Sequence, residues 1–581
     1  MKRLAVPLAV TLMFSFTLAQ TFTWPNAWSA NTPEEAVTGG TLRSYSLSDP
    51  RTFNPFVSAE QNDVVDAANL TTLITQGPDS DAFLPYMAES FTVSDDGLVV
   101  TLNVREGMRW SDGEDITAAD FFFTYTAETD EAVGSNGYDS WFINGQPIVG
   151  ELVDEYTLRF TFPEPDRTAL PVMAISPAPD HILGEIYREG GAEALKAAWG
   201  TDSDVSETVW ATPFVPVSFT PGQRIVFERN PYFAEWNEDE AGNGLPYLDR
   251  YTVTIVESVD AALNLYLAGE LDSFAPPTVD ALGVINQAIV NGELDATLLP
   301  NQSPVASSQF ITFNWNKASD PFKESLFRDA RFRQAMSHLV DREAIIDLVY
   351  GGSAAPMWSN VYQVYDYWVD PDVPKFPYNP ERAVELLEEL GFTELYDNGV
   401  RANADGDAIS FTLATNAGNT QREEIAIIFA DAARAVGVEV DVQAVDFNLL
   451  VDQLLSTGDD RPFDAILIGL QGGNRVYPFG PNVIPCDTNL HMYNQSGACL
   501  DDLEQTAEDL YFEGRATLDT EAARDIGYDI QRALAELQAQ IYTVSPLAHY
   551  SWLSSVRGEH PEGMINAAVG ARQLPLTYKV D

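Results

Sequence analysis

Residues 409–470 read ISFTLATNAGNTQREEIAIIFADAARAVGVEVDVQAVDFNLLVDQLLSTGDDRPFDAILIGL, and they decide the fold class. Two amphipathic helices are predicted in this stretch, over residues 421–436 and 449–455. Three strands flank them, at ISFTLAT (409–415), VEVDVQAV (438–445) and FDAILIGL (463–470). Strands that alternate with crossover helices favour a parallel sheet covered on both faces, so this part of the chain is predicted to be α/β.

Working toward the N-terminus, a shorter unit of the same kind precedes this stretch. YTVTIV at 251–256 alternates as a strand does, and Ser258 can cap a helix that runs to about Ala268. Another strand is predicted over Leu271–Phe274, after Gly269. The pattern predicts one β-α-β unit.

The clearest helices lie between these two units. In DARFRQAMSHLVDREAIIDLVYGG (329–352) the apolar residues follow helical spacing and a Gly pair ends the run. In NPERAVELLEELG (379–391), Asn379 is the predicted N-cap. Residues 84–162 contain strand-like pieces such as LVVTLNV and TLRFTF, so they are predicted to form a separate strand-rich domain.

The first twenty residues, MKRLAVPLAVTLMFSFTLAQ, have the layout of a secretory signal peptide. Lys2 and Arg3 precede an apolar run over residues 4–18, and the small Ala19 stands at the expected cleavage point. The run is shorter than the ~20 residues of a membrane-spanning helix. No cysteine follows it, so we expect a soluble periplasmic or secreted protein without a lipid anchor.

The composition is strongly acidic, with 87 Asp and Glu against 32 Lys and Arg, giving a net charge of −55. Such a charge repels nucleic acid and anionic membranes. Hydrophobic residues make up 45% of the chain, which is enough for large cores, so the acidity belongs to the surface. It fits a saline habitat, where salt screens the repulsion, and the alternative is attraction of cationic ligands.

The chain has only two cysteines, Cys486 and Cys499, and both lie in one loop rich in Gly, Pro and Asn. Outside the cytosol, a lone cysteine pair is predicted to form a disulfide rather than a metal site. The alternative is two buried, unpaired small hydrophobic side chains.

The sequence carries no catalytic signature. It lacks G-x-S-x-G, G-x-x-x-x-G-K, G-x-G-x-x-G and H-E-x-x-H, and its five histidines are scattered, without metal-ligand spacing. A glycosidase with paired carboxylates is left open, although nothing singles out a pair. We therefore expect a binding protein with no catalytic residues, no metal and no cofactor, rather than an enzyme.

Four motifs, in one order along the chain, carry a resemblance to a known family. They are LPYMAESFTVSDDGLVVTLNVREGMRWSDGEDITAADFFFTY (84–125), FVPVSFTPGQRIVFERNPYFAEW (214–236), LDRYTVTIVESVDAALNLYLAGELDSF (248–274) and FITFNWNKASDPFKESLFRDARFRQAMSHLVDREAII (310–346). The chain thereby resembles the family 5 extracellular solute-binding proteins of ABC importers, the dipeptide, oligopeptide and nickel class. Each motif also has a structural reading as a turn or a helix cap, such as Asp341 as an N-cap.

The resemblance implies a type II periplasmic-binding-protein fold, with two lobes, a ligand cleft between them and an extra strand-rich domain. Mixed sheets flanked by helices are expected. A solute would shift the lobes toward closure, and the loaded monomer would dock on an ABC permease in the inner membrane. The implied divisions are a signal peptide (1–19), a linker (20–38), lobe I (39–61, 196–300 and 546–581), an inserted domain (62–195) and lobe II (301–545).

The ligand class is open between peptide and oligosaccharide. Peptide-binding members carry an Asp after the strand that corresponds to FDAILIGL, where it pairs with the α-amino group of the peptide. Here GLQGGNRVYPFG follows, without an acid, and Asn474, Arg475 and Tyr477 suit a sugar or a ligand carboxylate. Trp141 and Trp358 are candidates to stack on the ligand, although core packing is the alternative. Peptide is the first expectation, oligosaccharide the second and a secreted hydrolase the third.

Overall fold

The computed structural model describes residues 37–58, 62, 64–65, 71–76, 83–143, 145–239, 241–301, 305–470, 482–558 and 574–580. The strands are β1 Thr41–Ser46, β2 Ile74–Gln76, β3 Phe83–Pro85, β4 Ala88–Val93, β5 Val99–Val104, β6 Phe142–Ile143, β7 Gln146–Pro147, β8 Val149–Asp154, β9 Thr157–Thr161, β10 Phe214–Thr220, β11 Arg224–Arg229, β12 Arg250–Ile255, β13 Ser273–Phe274, β14 Ala296–Leu299, β15 Phe310–Phe313, β16 Ala354–Pro356, β17 Glu394–Leu395, β18 Arg401–Ala402, β19 Ser410–Asn416, β20 Glu439–Val445, β21 Ala465–Ile468, β22 Gln540–Tyr542, β23 Val544–Pro546, β24 Tyr550–Leu553, β25 Val556–Arg557 and β26 Tyr578–Lys579.

The helices are α1 Ala118–Glu128, α2 Ala169–Val172, α3 Glu185–Ala197, α4 Val259–Leu267, α5 Val279–Asn291, α6 Pro321–Arg328, α7 Ala330–His338, α8 Arg342–Ala344, α9 Pro380–Glu389, α10 Thr420–Ala435, α11 Phe447–Leu454, α12 Asp502–Ala516 and α13 Thr520–Leu537. Short 3-10 or π turns occupy Tyr138–Trp141, Asp180–Gly184, Val205–Glu207, Phe233–Glu235, Ile345–Val349, Gln363–Trp368 and Leu574–Leu576. In the described residues, no helix has the length and apolarity needed to cross a membrane.

A five-stranded sheet forms the centre of lobe II, in the order β20-β19-β21-β15-β22. β19 pairs in parallel with both β20 and β21, which confirms the three parallel strands predicted from residues 409–470. β15 is antiparallel to both of its neighbours, so the complete sheet is mixed. Its core contains the rings of Phe313 and Phe411, whose centroids lie 5.2 Å apart. The strand predicted over 463–470 is shorter than expected and ends at Ile468.

Two sheets form lobe I, in the orders β1-β12-β11-β10 and β13-β24-β14. Ser258 caps α4 as predicted, by accepting a hydrogen bond from the backbone N–H of Ala261. The strand, helix and strand predicted over 251–274 are present, but the two strands do not pair with each other, because β12 lies beside β1 and β13 is antiparallel to β24. Between β1 and β13, the N–H of Arg43 donates to the Asp272 carboxylate (2.8 Å), so a side chain replaces a ladder partner.

The strand-rich part predicted from residues 84–162 is a four-stranded antiparallel sheet, β4-β5-β9-β8. α1 packs against it, with the Tyr125 ring 5.5 Å from that of Phe160. The helix begins at a capping box, in which Thr117 and Asp120 each accept a backbone N–H from the other end of the turn. Lobe I, lobe II and the inserted domain name the parts that contain these sheets, and their exact boundaries stay a prediction.

The chain passes between lobe I and lobe II twice, from β14 to β15 and from β22 to β24. The two crossings lie side by side. The N–H of Val305 donates to the carbonyl of Pro546 (3.0 Å), and the N–H of Asn301 donates to Nδ1 of His549 (2.9 Å). These bonds join the crossings into one connection.

Lobe II also contacts the inserted domain through a buried ion pair. Nε of Arg515, in α12, lies 2.8 Å from the Asp166 carboxylate, and the two side chains are 3% and 0% exposed. A second guanidinium nitrogen donates to the Thr168 hydroxyl at 2.9 Å. Through this pair, α12 of lobe II is in direct contact with the inserted domain.

Candidate ligand-binding site

A cavity of about 690 Å³ lies between lobe I and lobe II, and we call it the interlobe cavity. On the lobe I side, its wall is the end of β1 and the residues after it, from Tyr45 to Ser48. On the lobe II side, the wall is formed where β19 and β21 end and where α10 begins. Ligands of α/β proteins commonly bind at the carboxyl ends of strands, so this is the position expected for a solute site.

One wall of the interlobe cavity is apolar. α11 contributes Phe447, Val451 and Leu454 to it, and Leu490 and Met492 come from the loop that contains the two cysteines. Asp446 is the N-cap of α11, and its carboxylate accepts the N–H groups of Asn448 and Leu449. The wall is suited to an apolar side chain or another hydrocarbon group of a ligand.

Arg422 is the only charged side chain among the described residues that line the interlobe cavity. It is half-buried, and its hydrogen bonds go to two side-chain amides, Gln309 at 2.7 Å and Asn416 at 2.8 Å. None of the described carboxylates forms an ion pair with it. Burial lowers the pKa of Arg422 to about 10, so the side chain remains cationic at neutral pH and can receive an anionic group.

Two glycines allow close approaches at this cavity. A Cβ on Gly469 would lie 2.1 Å from the carbonyl oxygen of Ser308, so no larger residue fits where β21 ends. A Cβ on Gly418 (φ +83°) would lie 2.7 Å from the carbonyl oxygen of Glu257, which belongs to lobe I. Near the same cavity, Arg51 of lobe I forms an ion pair with Asp452 of α11. The two lobes are therefore in direct contact beside the cavity.

Cys486 and Cys499 form a disulfide, with their Cα atoms 5.2 Å apart, as predicted from the compartment and the cysteine count. The loop that they close includes Leu490 and Met492, so the bridge supports part of the cavity wall. Between these two residues, His491 points into the protein and Nε2 lies 2.6 Å from the Glu504 carboxylate of α12. Glu504 thereby fastens the loop to α12.

Two groups of side chains near the bridge have the spacing of metal ligands. They are Cys486 with Cys499 and Glu508, and Cys486 with His491 and Glu504. Both include Cys486, whose sulfur is already bonded to Cys499. A disulfide sulfur is not the thiolate that binds metal, so we read both groups as parts of the loop's support.

The structure describes two of the five site residues predicted from sequence, Trp141 and Trp358. Asn474, Arg475 and Tyr477 lie outside the described residues, so their roles stay predictions. Trp358 does not line the interlobe cavity, and its ring lies 4.2 Å from the guanidinium carbon of the buried Arg342. Trp141 is 2% exposed and lines a separate cavity. Their stacking on a ligand also stays a prediction.

Sequence reasoning did not find Arg422 or the apolar wall. One signal for Arg422 was available, because it occupies the first turn of α10, where the helix dipole disfavours a cation. A basic residue in that position is unfavourable for the helix, and binding of an anionic ligand group would explain its presence. The apolar wall carries no such signal, because its members look like ordinary core residues of α11 and of the loop.

Comparisons with known proteins agree with this geometry. The family profile described as bacterial extracellular solute-binding proteins, family 5 Middle, matches residues 82–483. A probable ABC transporter-binding protein of Deinococcus radiodurans is 39% identical over 587 residues, which cover 98% of each chain.

Two solved structures share the fold. The oligopeptide-binding protein AppA of Bacillus subtilis, in complex with a nonapeptide, superposes with a TM-score of 0.79 at 23% identity, over 94% of this chain and 100% of that one. The periplasmic binding protein MelB of Agrobacterium fabrum, in complex with stachyose, superposes with a TM-score of 0.80 at 20% identity, over 95% of this chain and 86% of that one.

Proposed function

Because this chain belongs to the family 5 bacterial extracellular solute-binding proteins, we propose that it captures a peptide-like solute in the interlobe cavity and delivers it to an ABC-type import permease. The observation that carries the proposal is the cavity itself, whose described residues combine an apolar wall with one cationic side chain, Arg422. A peptide offers both complements, in its side chains and in its terminal carboxylate.

In this proposal Arg422 receives the carboxylate. Its present partners are neutral amides, so an incoming anion does not have to displace another carboxylate. Charge-assisted hydrogen bonds of this kind are shorter and stronger than neutral ones. Closure of the lobes around the bound solute would exclude water from the pair and strengthen it.

An oligosaccharide is the second candidate. None of the described residues that line the interlobe cavity is acidic, so none of them would pair with the α-amino group of a peptide. The structural similarity to the stachyose complex of MelB also favours this candidate. Most apolar side chains of the described wall are aliphatic, with Phe447 and Tyr45 as the aromatic members, and this favours the peptide because sugars stack better on aromatic rings than on Leu and Val.

We also propose that the protein is exported by its N-terminal signal peptide and works outside the inner membrane as a monomer, without a lipid anchor. N-terminal sequencing of the exported protein tests this, and the expected first residue is Gln20. Binding is proposed to leave the solute unchanged.

The test begins with mass spectrometry of the small molecules released from gently purified protein. Emptied protein is then titrated with short peptides, their C-terminally amidated forms, and stachyose. Free-acid peptides are expected to raise the melting temperature by mass action, and amidated forms to bind about tenfold more weakly, which corresponds to the loss of one charge-assisted bond. Arg422→Gln should remove this difference.

Arg434→Gln is the matched control, because Arg434 lies on the same helix with a largely exposed side chain that pairs with Asp431. It should bind both peptide forms as the wild type does. Stabilisation by stachyose and by no peptide would replace the peptide proposal with the sugar one. Steady conversion of a bound peptide or sugar into products would support an enzyme.

A further inference from the structure

A second cavity, of about 340 Å³, lies in the inserted domain and at its borders with lobe I and lobe II, and we call it the tryptophan cavity. The end of α1 and the segment 171–179 form part of its wall, and Arg515 of α12 closes one side. It shares no described lining residue with the interlobe cavity. The solute site of the proposed function therefore does not account for it.

Glu128, the last residue of α1, is a wall residue of the tryptophan cavity. The indole N–H of Trp141 donates to its Oε2 at 2.7 Å. In the described part of the chain, no Lys, Arg or His pairs with this carboxylate, and its Oε1 accepts no hydrogen bond. The end of a helix is also the position at which the helix dipole opposes a negative charge.

The carboxylate is held in a fixed place. A Cβ on Gly137 would come within 2.7 Å of Oε1, so the backbone at Gly137 packs closely against the carboxyl group. Burial raises the pKa of Glu128 to about 7, against the opposing effect of the Trp141 hydrogen bond. A cation beside the group would favour the ionised form.

Four indole rings line the same cavity as this carboxylate, and one of them, Trp141, is hydrogen-bonded to it. Trp110, Trp141, Trp199 and Trp210 all line the cavity, and the rings of Trp199 and Trp210 lie 5.2 Å apart. Indole faces attract cations and also cover hydrocarbon groups. Arg515, the one cation among the described lining residues, is already paired with Asp166 and does not neutralise Glu128.

We propose that the tryptophan cavity binds an organic cation, with an ammonium or guanidinium group against Glu128 and its apolar stem against the indole rings. The cation can arrive as a free amine or as the side chain of a peptide. In either case the cationic group pairs with Oε1 of Glu128. Since the wall joins the inserted domain to Arg515 of lobe II, an occupant contacts both parts.

Phenethylamine and 2-phenylethanol are the probes, because they have the same shape and differ in charge. In calorimetric titrations at pH 8, phenethylamine is expected to bind the wild type at one site, and 2-phenylethanol at least about tenfold more weakly, since it lacks the ion pair. Glu128→Gln should weaken phenethylamine by about tenfold and leave 2-phenylethanol unchanged. Glu128→Asp, which keeps the charge, should retain most of the binding.

Glu131→Gln is the matched control, because Glu131 is exposed and lies three residues farther along the chain. It should bind phenethylamine as the wild type does. Melting temperatures show whether each variant is folded. No binding of phenethylamine to the wild type, equal binding to Glu128→Gln, or equal binding of the alcohol would overturn the proposal.

A peptide pair distinguishes the two sources of the cation. If the cation is a peptide side chain, a Lys-containing peptide should bind more tightly than its norleucine counterpart, and Glu128→Gln should abolish the difference. Equal binding of the two peptides, together with phenethylamine binding, assigns the cavity to free amines. The phenethylamine titration uses no peptide. Its result can therefore be interpreted even if the interlobe cavity does not bind peptides.

Discussion

At the scale of single residues, the charged side chains inside this protein are of two kinds. Some are compensated, as Arg515 is by Asp166, and such pairs hold parts of the chain together. Others have only neutral partners, and two of these, Arg422 and Glu128, line the two cavities. A buried charge without a counterion is unfavourable for the free protein, which is why we assign ligand binding to both.

Gly418 lies where lobe II comes closest to the carbonyl of Glu257 in lobe I. In Gly418→Ala the new methyl group would meet the carbonyl of Glu257, so closure should be hindered and affinity for the stabilising peptide should fall about fivefold through a shift of population toward the open form. Titration calorimetry measures the fall. Gly458→Ala is the control, because Gly458 also has a positive φ (+101°) but nothing lies within 4 Å of its Cβ position. Equal effects in the two variants would mean that backbone strain, not contact between the lobes, is responsible.

Glu504 should make the disulfide loop sensitive to acid. Burial opposes its ionisation, but hydrogen bonds from His491, Asn494 and the N–H of Leu500 outweigh burial and lower the pKa of Glu504 below its ordinary value of 4.5. Its contribution to stability is therefore complete above pH 4.5 and is lost as the pH falls through the folded-state pKa. Glu504→Gln should cost about 2 kcal/mol at pH 7 and less at pH 3.

Denaturant unfolding at both pH values measures this difference. Glu513→Gln, on the exposed face of the same helix, should cost little at either pH. A cost for Glu504→Gln that is the same at pH 7 and pH 3 would contradict the assignment.

At the scale of elements, local sequence patterns predicted the helix caps and the order of strands and helices, because these features depend on residues close in sequence. The caps at Ser258 and Asn379, and the alternation of β19, α10, β20, α11 and β21, were read from spacing alone, with errors of a few residues at the ends. The pairing of β13 could not be read this way, because it depends on β24, which is more than 270 residues away. The same holds for the cavity, whose walls come from distant segments that no motif connects.

The disulfide loop is the element through which the bridge can affect binding. Replacing both cysteines by serine removes a loop constraint worth about 3 kcal/mol by chain entropy. Because Leu490 and Met492 lie in the bridged loop and line the interlobe cavity, we expect affinity for the stabilising peptide to fall about threefold to tenfold as the loop must be ordered on binding. Wild-type protein treated with reductant should behave in the same way. A lower melting temperature with unchanged affinity would show that the bridge only steadies the loop.

At the scale of the whole molecule, the net charge of −55 should make stability depend on salt. Ion pairs such as Arg328 with Glu324 compensate part of the acidity, but the excess of acids must repel across the surface. Raising NaCl from 50 to 500 mM (about a threefold shorter screening length) should raise the melting temperature by a few degrees. Potassium chloride should act equally if screening is the cause. A melting temperature that stays constant or falls as NaCl is raised would show that the acidic side chains are already compensated locally.

The two side-by-side crossings between the lobes also limit how the molecule can move. A single connecting strand would let one lobe rotate in any direction relative to the other. Two crossings joined by the Val305 and His549 hydrogen bonds leave mainly one rotation, about an axis that passes through both crossings. The size of a solute then sets an angle, since a bulkier solute stops the rotation earlier. A permease that docks on both lobes would meet a different spacing for each solute length, and could reject cargo that it never touches.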